Sequence, residues 1–431
     1  MDYAQEIEER LRERRLPGLD ELLPEEFVMP HYGGYSIANL PATIARVLGA
    51  ELAGAAPPLP EQLWADLAPG ARRVVMVVLD AVGYLHLQRI LAKEDSALRR
   101  LAQAGRLVPL TSVFPSTTVA ALTTLWTGRT PLGHSFVGTR LLLREQGVLA
   151  NMLRLAPAAS RQRGVLLDWG WKPEEFVTVP SLGQQLTEDG VKTVAHTRRS
   201  FIGGALTRVF LRGMEDVRGY VGFSDMWINL RHTLCEHSSE RLFASIYWGG
   251  LDTTGHTYGP DEEPFRAALR HLARSLEEDL LDRLPAAARE GTLLIVTADH
   301  GQTATPPERV VHLPDHPALR ETLLLPPAGE PRAAYLYVRP GQAETAQAYV
   351  AEHLADRFVL VETERALAAG LFGPGEATPE VRARLGNLLL LARDDVRLEA
   401  KEKKATILGH HGGLTAEEML VPLLVARLDK L

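Results

Sequence analysis

Side chains able to bind a divalent cation stand beside several strongly apolar runs of this sequence. Asp80 closes "RVVMVVLD", Asp299 and His300 follow "TLLIVTA", and His410 and His411 lie in "GHHGG" just before the last apolar run. Asp252 and His256 sit four apart in "GGLDTTGHTYGP", after another such run. The glycines around that pair read as a loop that bends both ligands toward one ion. One Asp after a strand is ordinarily a helix cap, and one His is ordinarily structural. Their recurrence at several strand exits points instead to a shared site. Carboxylate and imidazole without thiolate suit zinc, and manganese accepts the same ligands. Two such ions, about 3.5–4 Å apart, can clamp the attacking and leaving oxygens of an in-line displacement, as in phosphoryl transfer.

A run of hydroxyls, "PSTTVAALTT", follows "LTSVF". A hydroxyl at a helix N-terminus can serve as a nucleophile, and the terminus itself favours an incoming phosphate. Ser116, Thr117 and Thr118 all qualify by type. Ser116 suits the helix cap.

The elements that position these groups are read from periodicity. Residues 72–80 form a continuous β-branched apolar run, the pattern of a strand buried on both faces. Similar runs lie near 106–114, 191–196, 243–250 and 292–301, with helical stretches between them, notably 263–284. This alternation predicts an α/β fold with a doubly wound, mostly parallel central sheet and helices on both faces. In such sheets sites form beyond the carboxyl ends of the strands, where the candidate ligands fall. Residues 305–400 read as a small inserted α/β cap with a loop at 325–331, and residues 419–428 return to the main sheet. The expected organisation is a catalytic core of residues 1–304 and 401–431, interrupted by that cap.

Composition narrows the function. The 431 residues carry 47 Lys+Arg against 54 Asp+Glu, a net charge of −7, which gives no general attraction for nucleic acid or an anionic membrane. A single cysteine, Cys235, excludes an intrachain disulfide and a thiolate zinc cluster. The charged N-terminus lacks the apolar core of a secretory signal, and the apolar runs are short for a bilayer, so a cytoplasmic location is expected. Oligomeric state leaves no mark on the sequence.

As a set and in order, "VVLDAVG", "SVFPSTTVAALTTLWTGRTPLGHS", "LDTTGHTYGP", "TADHGQT" and "GHHGGLTAEEMLVPLL" resemble the alkaline phosphatase superfamily, in its type I phosphodiesterase/nucleotide pyrophosphatase branch. The resemblance implies two metals, one held by Asp252, His256 and His411 and one by Asp80, Asp299 and His300. It places the nucleophile at Thr118, which also touches the second metal, and leaves His410 a structural role. It implies cleavage of phosphodiester or pyrophosphate bonds in a small phosphate ester or nucleotide, through a covalent threonine intermediate. The sequence departs from the branch where a phosphate-contacting Asn is usual: Ala121 and Thr139 stand at those places. Thr139 and Arg140 are candidate replacements, and Tyr84, Trp169 and Trp171 are candidate platforms for a base. His134 and Asn39 read as turn and cap residues. A phosphomonoesterase or phosphosugar mutase on the same metal core, with residues 305–400 as its cap, is the alternative. A non-catalytic metal-binding relative is a third reading.

Overall fold

Seven strands build the main sheet of this computed structural model, which describes residues 3–401 and 407–431. In spatial order they are Arg106–Thr111, Leu420–Arg427, Thr292–Thr297, Arg73–Leu79, Leu242–Trp248, Lys192–Arg198 and Asp216–Tyr220. Arg73–Leu79 lies at the centre, is buried along its whole length and pairs in parallel with Leu242–Trp248 and Thr292–Thr297. Its unbroken Val/Met/Leu run is what a strand covered on both faces requires. Leu420–Arg427 is antiparallel to both of its neighbours. This strand therefore begins at the edge where the others end, which brings the preceding "GHHGG" loop to the same rim as Asp80 and Asp299.

The hydroxyl run turns through a cis Phe114–Pro115 peptide into the helix Thr118–Thr127, buried along its whole length. The stretch around Asp252 is also a helix, Gly250–Tyr258, where a loop was expected. Residues four apart share one helix face, so a helix brings Asp252 and His256 together as well as a bent loop would. The long helix expected over 263–284 runs regularly only from Glu263 to Ser275, then passes through a π turn, Leu276–Leu280, and a 3₁₀ turn, Leu281–Arg283.

A second sheet of seven antiparallel strands lies beside the first. Its order is Phe358–Glu362, Leu388–Ala392, Ala333–Leu336, Ala328–Glu330, Arg140–Leu143, Val148–Asn151 and Ala156–Pro157. Residues of the 305–400 segment thus share one sheet with strands from 140–157. Three residues at the end of the expected loop, Ala328–Glu330, are strand and pair with Ala333–Leu336. Side chains alternate across this sheet. Ala333, Tyr335, Leu389 and Leu391 join the main core, whereas Ala334, Leu336, Leu388 and Leu390 join a smaller core with Leu319, Val350 and Phe358. Among the described residues no helix is long and apolar enough to cross a membrane.

Candidate metal centre

Every candidate ligand lies at the rim where the central strands end. Asp80 follows Arg73–Leu79 directly and is 2% exposed, while Asp299 and His300 follow Thr292–Thr297 and are fully buried. Asp252 and His256 project from the first and last turns of Gly250–Tyr258, and their Oδ1 and Nε2 atoms are 3.2 Å apart. His411 Nε2 comes to 3.7 Å from the same Asp252 Oδ1. The potential ligand atoms of Asp252, His256 and His411 all lie within 4.8 Å of one another, as do those of Asp80, Asp252 and His300. Asp252 belongs to both groups, so the clusters are contiguous.

The three imidazoles are oriented alike. Each turns Nδ1 to a backbone carbonyl: His256 to Gly409 at 2.6 Å, His300 to Gly301 at 2.9 Å and His411 to Ser116 at 3.0 Å. With Nδ1–H donating there, Nε2 keeps its lone pair for the cavity, the arrangement metal-binding histidines need. The rings of His300 and His411 stack with centroids 3.7 Å apart.

Around His300 Nε2 the geometry tightens. Thr118 Oγ1 is 3.1 Å away, Asp299 Oδ2 3.4 Å and Asp80 Oδ1 3.5 Å. Those two carboxylate oxygens are buried and, among the described residues, have no hydrogen-bond partner. The remaining oxygens are occupied: Tyr247 donates its hydroxyl to Asp80 Oδ2, and the N–H groups of Ala81 and His300 donate to Asp299 Oδ1 at 3.3 and 3.0 Å. Two orphaned anionic atoms aimed at one point are costly unless a cation joins them. The residues around His300 therefore fit a divalent ion, and Asp252, His256 and His411 offer a second group of donors beside it.

Electrostatics agree. Burial, then the neighbouring Asp299, holds the Asp80 carboxyl well above the usual range. Burial, then Asp80, does the same to Asp252. Asp299 is pushed up to about 7 by burial and by Asp252. His411 is driven down by burial and by the rings of His300 and His256. Clustered acids that resist ionising, beside imidazoles that resist protonation, are what a cation would relieve.

Thr118 is the first residue of its helix, and its predecessor Thr117 caps the helix without a side-chain bond. Ser116 is not the cap. Its hydroxyl donates to the Gly413 carbonyl at 2.8 Å and accepts from Gly412 N–H at 3.2 Å, tying the Thr118 turn to the histidine loop. Thr139 Oγ1 lies 3.1 Å from Thr117 Oγ1, beside the site, and Arg140 follows it into the second sheet. Tyr84 departs from expectation: it is 1% exposed in the main core and accepts from Gln88 Nε2 at 2.5 Å, so its ring offers no open face. Trp169 is exposed, and Trp171 packs on Phe176. His410 bonds to Thr305 at 2.6 Å, and His134 bridges Thr124 and Phe136 at 3.0 and 3.1 Å. Asn39 closes a capping box with Ser36, and Cys235 is an exposed free thiol.

Three participants escaped the sequence reading. Tyr247 lies one residue inside the end of its strand, where a polar tip at a strand exit was the available signal. Gln302 donates to Asp252 Oδ1 at 3.1 Å, and its place two residues beyond His300 was the clue. Glu330 accepts the Thr139 N–H at 2.6 Å, and no pattern in the sequence marked it.

Residues 74–414 match the type I phosphodiesterase / nucleotide pyrophosphatase family. The chain belongs to that family. Among curated proteins it is similar to bis(5'-adenosyl)-triphosphatase ENPP4, with 34% identity over 95 residues to the Bos taurus protein and 30% over 94 residues to the Homo sapiens protein. Each match covers 22% of this chain and 21% of the relative, so the aligned stretch is about a fifth of either protein. Murine ectonucleotide pyrophosphatase / phosphodiesterase 5 shares the fold at a TM-score of 0.62 and 18% identity, over 81% of this chain and 87% of that one. Phosphonoacetate hydrolase of Sinorhizobium meliloti 1021, bound to phosphonoformate, does so at 0.59 and 20%, over 83% and 90%. This family membership places the chain in the alkaline phosphatase superfamily.

Proposed function

We propose that this chain is a metal-dependent hydrolase of phosphodiester or pyrophosphate bonds that works through a covalent adduct on Thr118. The observation that carries the reading is the convergence of Thr118 Oγ1 and the unpaired oxygens of Asp80 and Asp299 on His300 Nε2. In this reading Asp80, Asp299 and His300 hold one divalent cation beside Thr118, and Asp252, His256 and His411 hold a second. Zinc and manganese both suit these donors. Such cations supply Lewis acidity at the reacting phosphorus and favour ionisation of an oxygen nucleophile near neutral pH.

The chain's own groups do the rest. Burial around Thr118, 9% exposed, restricts water at the nucleophile. Thr118 Oγ1 lies 3.1 Å from His300 Nε2, which sets the hydroxyl beside the donors that would hold the cation. The first-turn N–H groups of Thr118–Thr127 point where phosphoryl oxygens would sit. Attack forms the Oγ1–P bond and breaks the bond from phosphorus to the leaving oxygen, which departs on the Asp252/His256/His411 side. Water then cleaves the adduct and restores the hydroxyl. A nucleotide-type substrate is supported by the ENPP4 relatives' name and by an inactive threonine-to-alanine variant of murine ENPP5 solved with AMP.

Zinc-loaded protein should hydrolyse bis-p-nitrophenyl phosphate, and acid-quenched samples should carry the phosphoryl adduct on the Thr118 peptide by mass spectrometry. Thr118→Ala should lose about a thousandfold or more in kcat while retaining zinc at the other site. Undiminished hydrolysis by that variant would remove Thr118 from the mechanism.

A further inference from the structure

Glu330 reaches the catalytic rim from the second sheet. It is the last residue of Ala328–Glu330, is 7% exposed, and accepts the Thr139 N–H at 2.6 Å. The hydroxyls of Thr139 and Thr117, themselves 3.1 Å apart, face this carboxylate, and Thr117 is adjacent to Thr118. The Glu330 Cβ and Cγ pack so closely on Gly412 that a methyl group there would collide with them. The carboxylate therefore fills the angle between the nucleophile turn and the histidine loop.

This placement has an electrostatic consequence. Burial raises the Glu330 carboxyl above its usual range, opposed by the Thr139 N–H, the two hydroxyls and Arg140; when ionised, the carboxylate only accepts hydrogen bonds. It therefore draws the hydroxyl protons of Thr117 and Thr139 toward itself and away from a substrate oxygen. That wall of the pocket becomes rich in acceptors and negative, with Arg140 acting on it only through space. A dianionic terminal phosphoryl group would bring excess negative charge to this wall. A diester or an internal pyrophosphate phosphorus carries one negative charge and puts a neutral ester oxygen in its place.

We propose that Glu330 is a specificity-determining residue that biases the site toward substrates whose reacting phosphorus bears one negative charge rather than two. The inference rests on the phosphoryl-hydrolase reading above and narrows its substrate class.

The test compares kcat/KM for bis-p-nitrophenyl phosphate and p-nitrophenyl phosphate in the zinc-loaded wild type, Glu330→Gln and Glu330→Asp at pH 9. Glutamine keeps an acceptor for the Thr139 N–H and removes the charge. It should shift the ratio toward the monoester by about tenfold or more and strengthen competitive inhibition by orthophosphate. Aspartate keeps the charge and should leave the ratio within about threefold of wild type. Glu330→Met, of similar shape and neutral, provides the same comparison if the glutamine variant does not fold. A ratio unchanged by neutralising Glu330, or both activities falling in parallel, would overturn the assignment while leaving the hydrolase reading intact. A zinc-loaded wild type that cleaves neither ester overturns the hydrolase reading itself, and this inference with it.

Discussion

Asp299 Oδ2 and Asp80 Oδ1 are buried and, among the described residues, unpaired, so the proposed chemistry rests on a cation joining them. The consequence can be measured in metal-free protein. Asp299 is raised from the usual 3.8 to about 7, so the folded state holds a proton that the unfolded chain has already lost. The group's contribution to stability is therefore complete below about pH 4 and declines as pH rises toward about 7, the reverse of a salt-bridged carboxylate. In EDTA at pH 8, Asp299→Asn should melt higher than wild type by about 3 °C or more, since the amide cannot ionise and still accepts the N–H bonds. Zinc should reverse that order. A metal-free variant melting below wild type at pH 8 would contradict the picture. Tyr247 gives a second test at this scale, because its hydroxyl donates to Asp80 Oδ2 and orients the unpaired oxygen. Tyr247→Phe should weaken zinc binding by about 10–100-fold, read by competition with a chelating dye, with little change in fold.

At the scale of the element, the helix Gly250–Tyr258 departs most from the local signal. Its glycines argued for a loop, and the tertiary contacts explain them. A methyl group on Gly255 would strike the amide of Gln302, which is fixed by its bond to Asp252. Helix propensity alone gives Gly255→Ala a gain of about 1 kcal/mol, and overpacking against a held neighbour costs about 1–3 kcal/mol. The collision should win. The variant should melt lower and lose metal from the Asp252/His256/His411 group before the Asp80 group, as followed by zinc stoichiometry. Equal or higher stability with full zinc content would show that Gln302 moves aside freely. The Leu420–Arg427 strand makes the complementary point. Its apolar run was legible, but its antiparallel direction decides where His411 arrives.

For the whole molecule, the second sheet is joined to the rim of candidate ligands through a buried ion pair between its hairpin and the helix Ala416–Met419. Arg332 forms a bidentate ion pair with Glu418 at 2.7 and 2.9 Å, both side chains fully buried. Glu418 in turn accepts the N–H of Gly413 at 2.8 Å and the hydroxyl of Thr415 at 2.7 Å. The loop that carries His411 is therefore held from the second sheet. Arg332→Ala leaves a buried carboxylate uncompensated and should cost about 3–5 kcal/mol. Thermal melting and phosphodiesterase activity should decline together. A variant that melts normally but turns over slowly, or the reverse, would separate the two roles assigned to this pair.

The sequence by itself determined the ligand chemistry and the sheet. Asp and His at the ends of long apolar runs are local facts, and a strand buried on both faces needs such a run whatever surrounds it. Only tertiary structure decided how those residues meet. Ser116 was read as a cap because its type suits one, yet it bonds across to Gly412 and Gly413, almost three hundred positions later. Glu330 gave no sign, because a polar residue acquires its role from whatever packs against it. Periodicity reports which face of an element is buried. It carries no information about which distant segment does the burying, and that pairing places the carboxylates, imidazoles and threonine around one cavity.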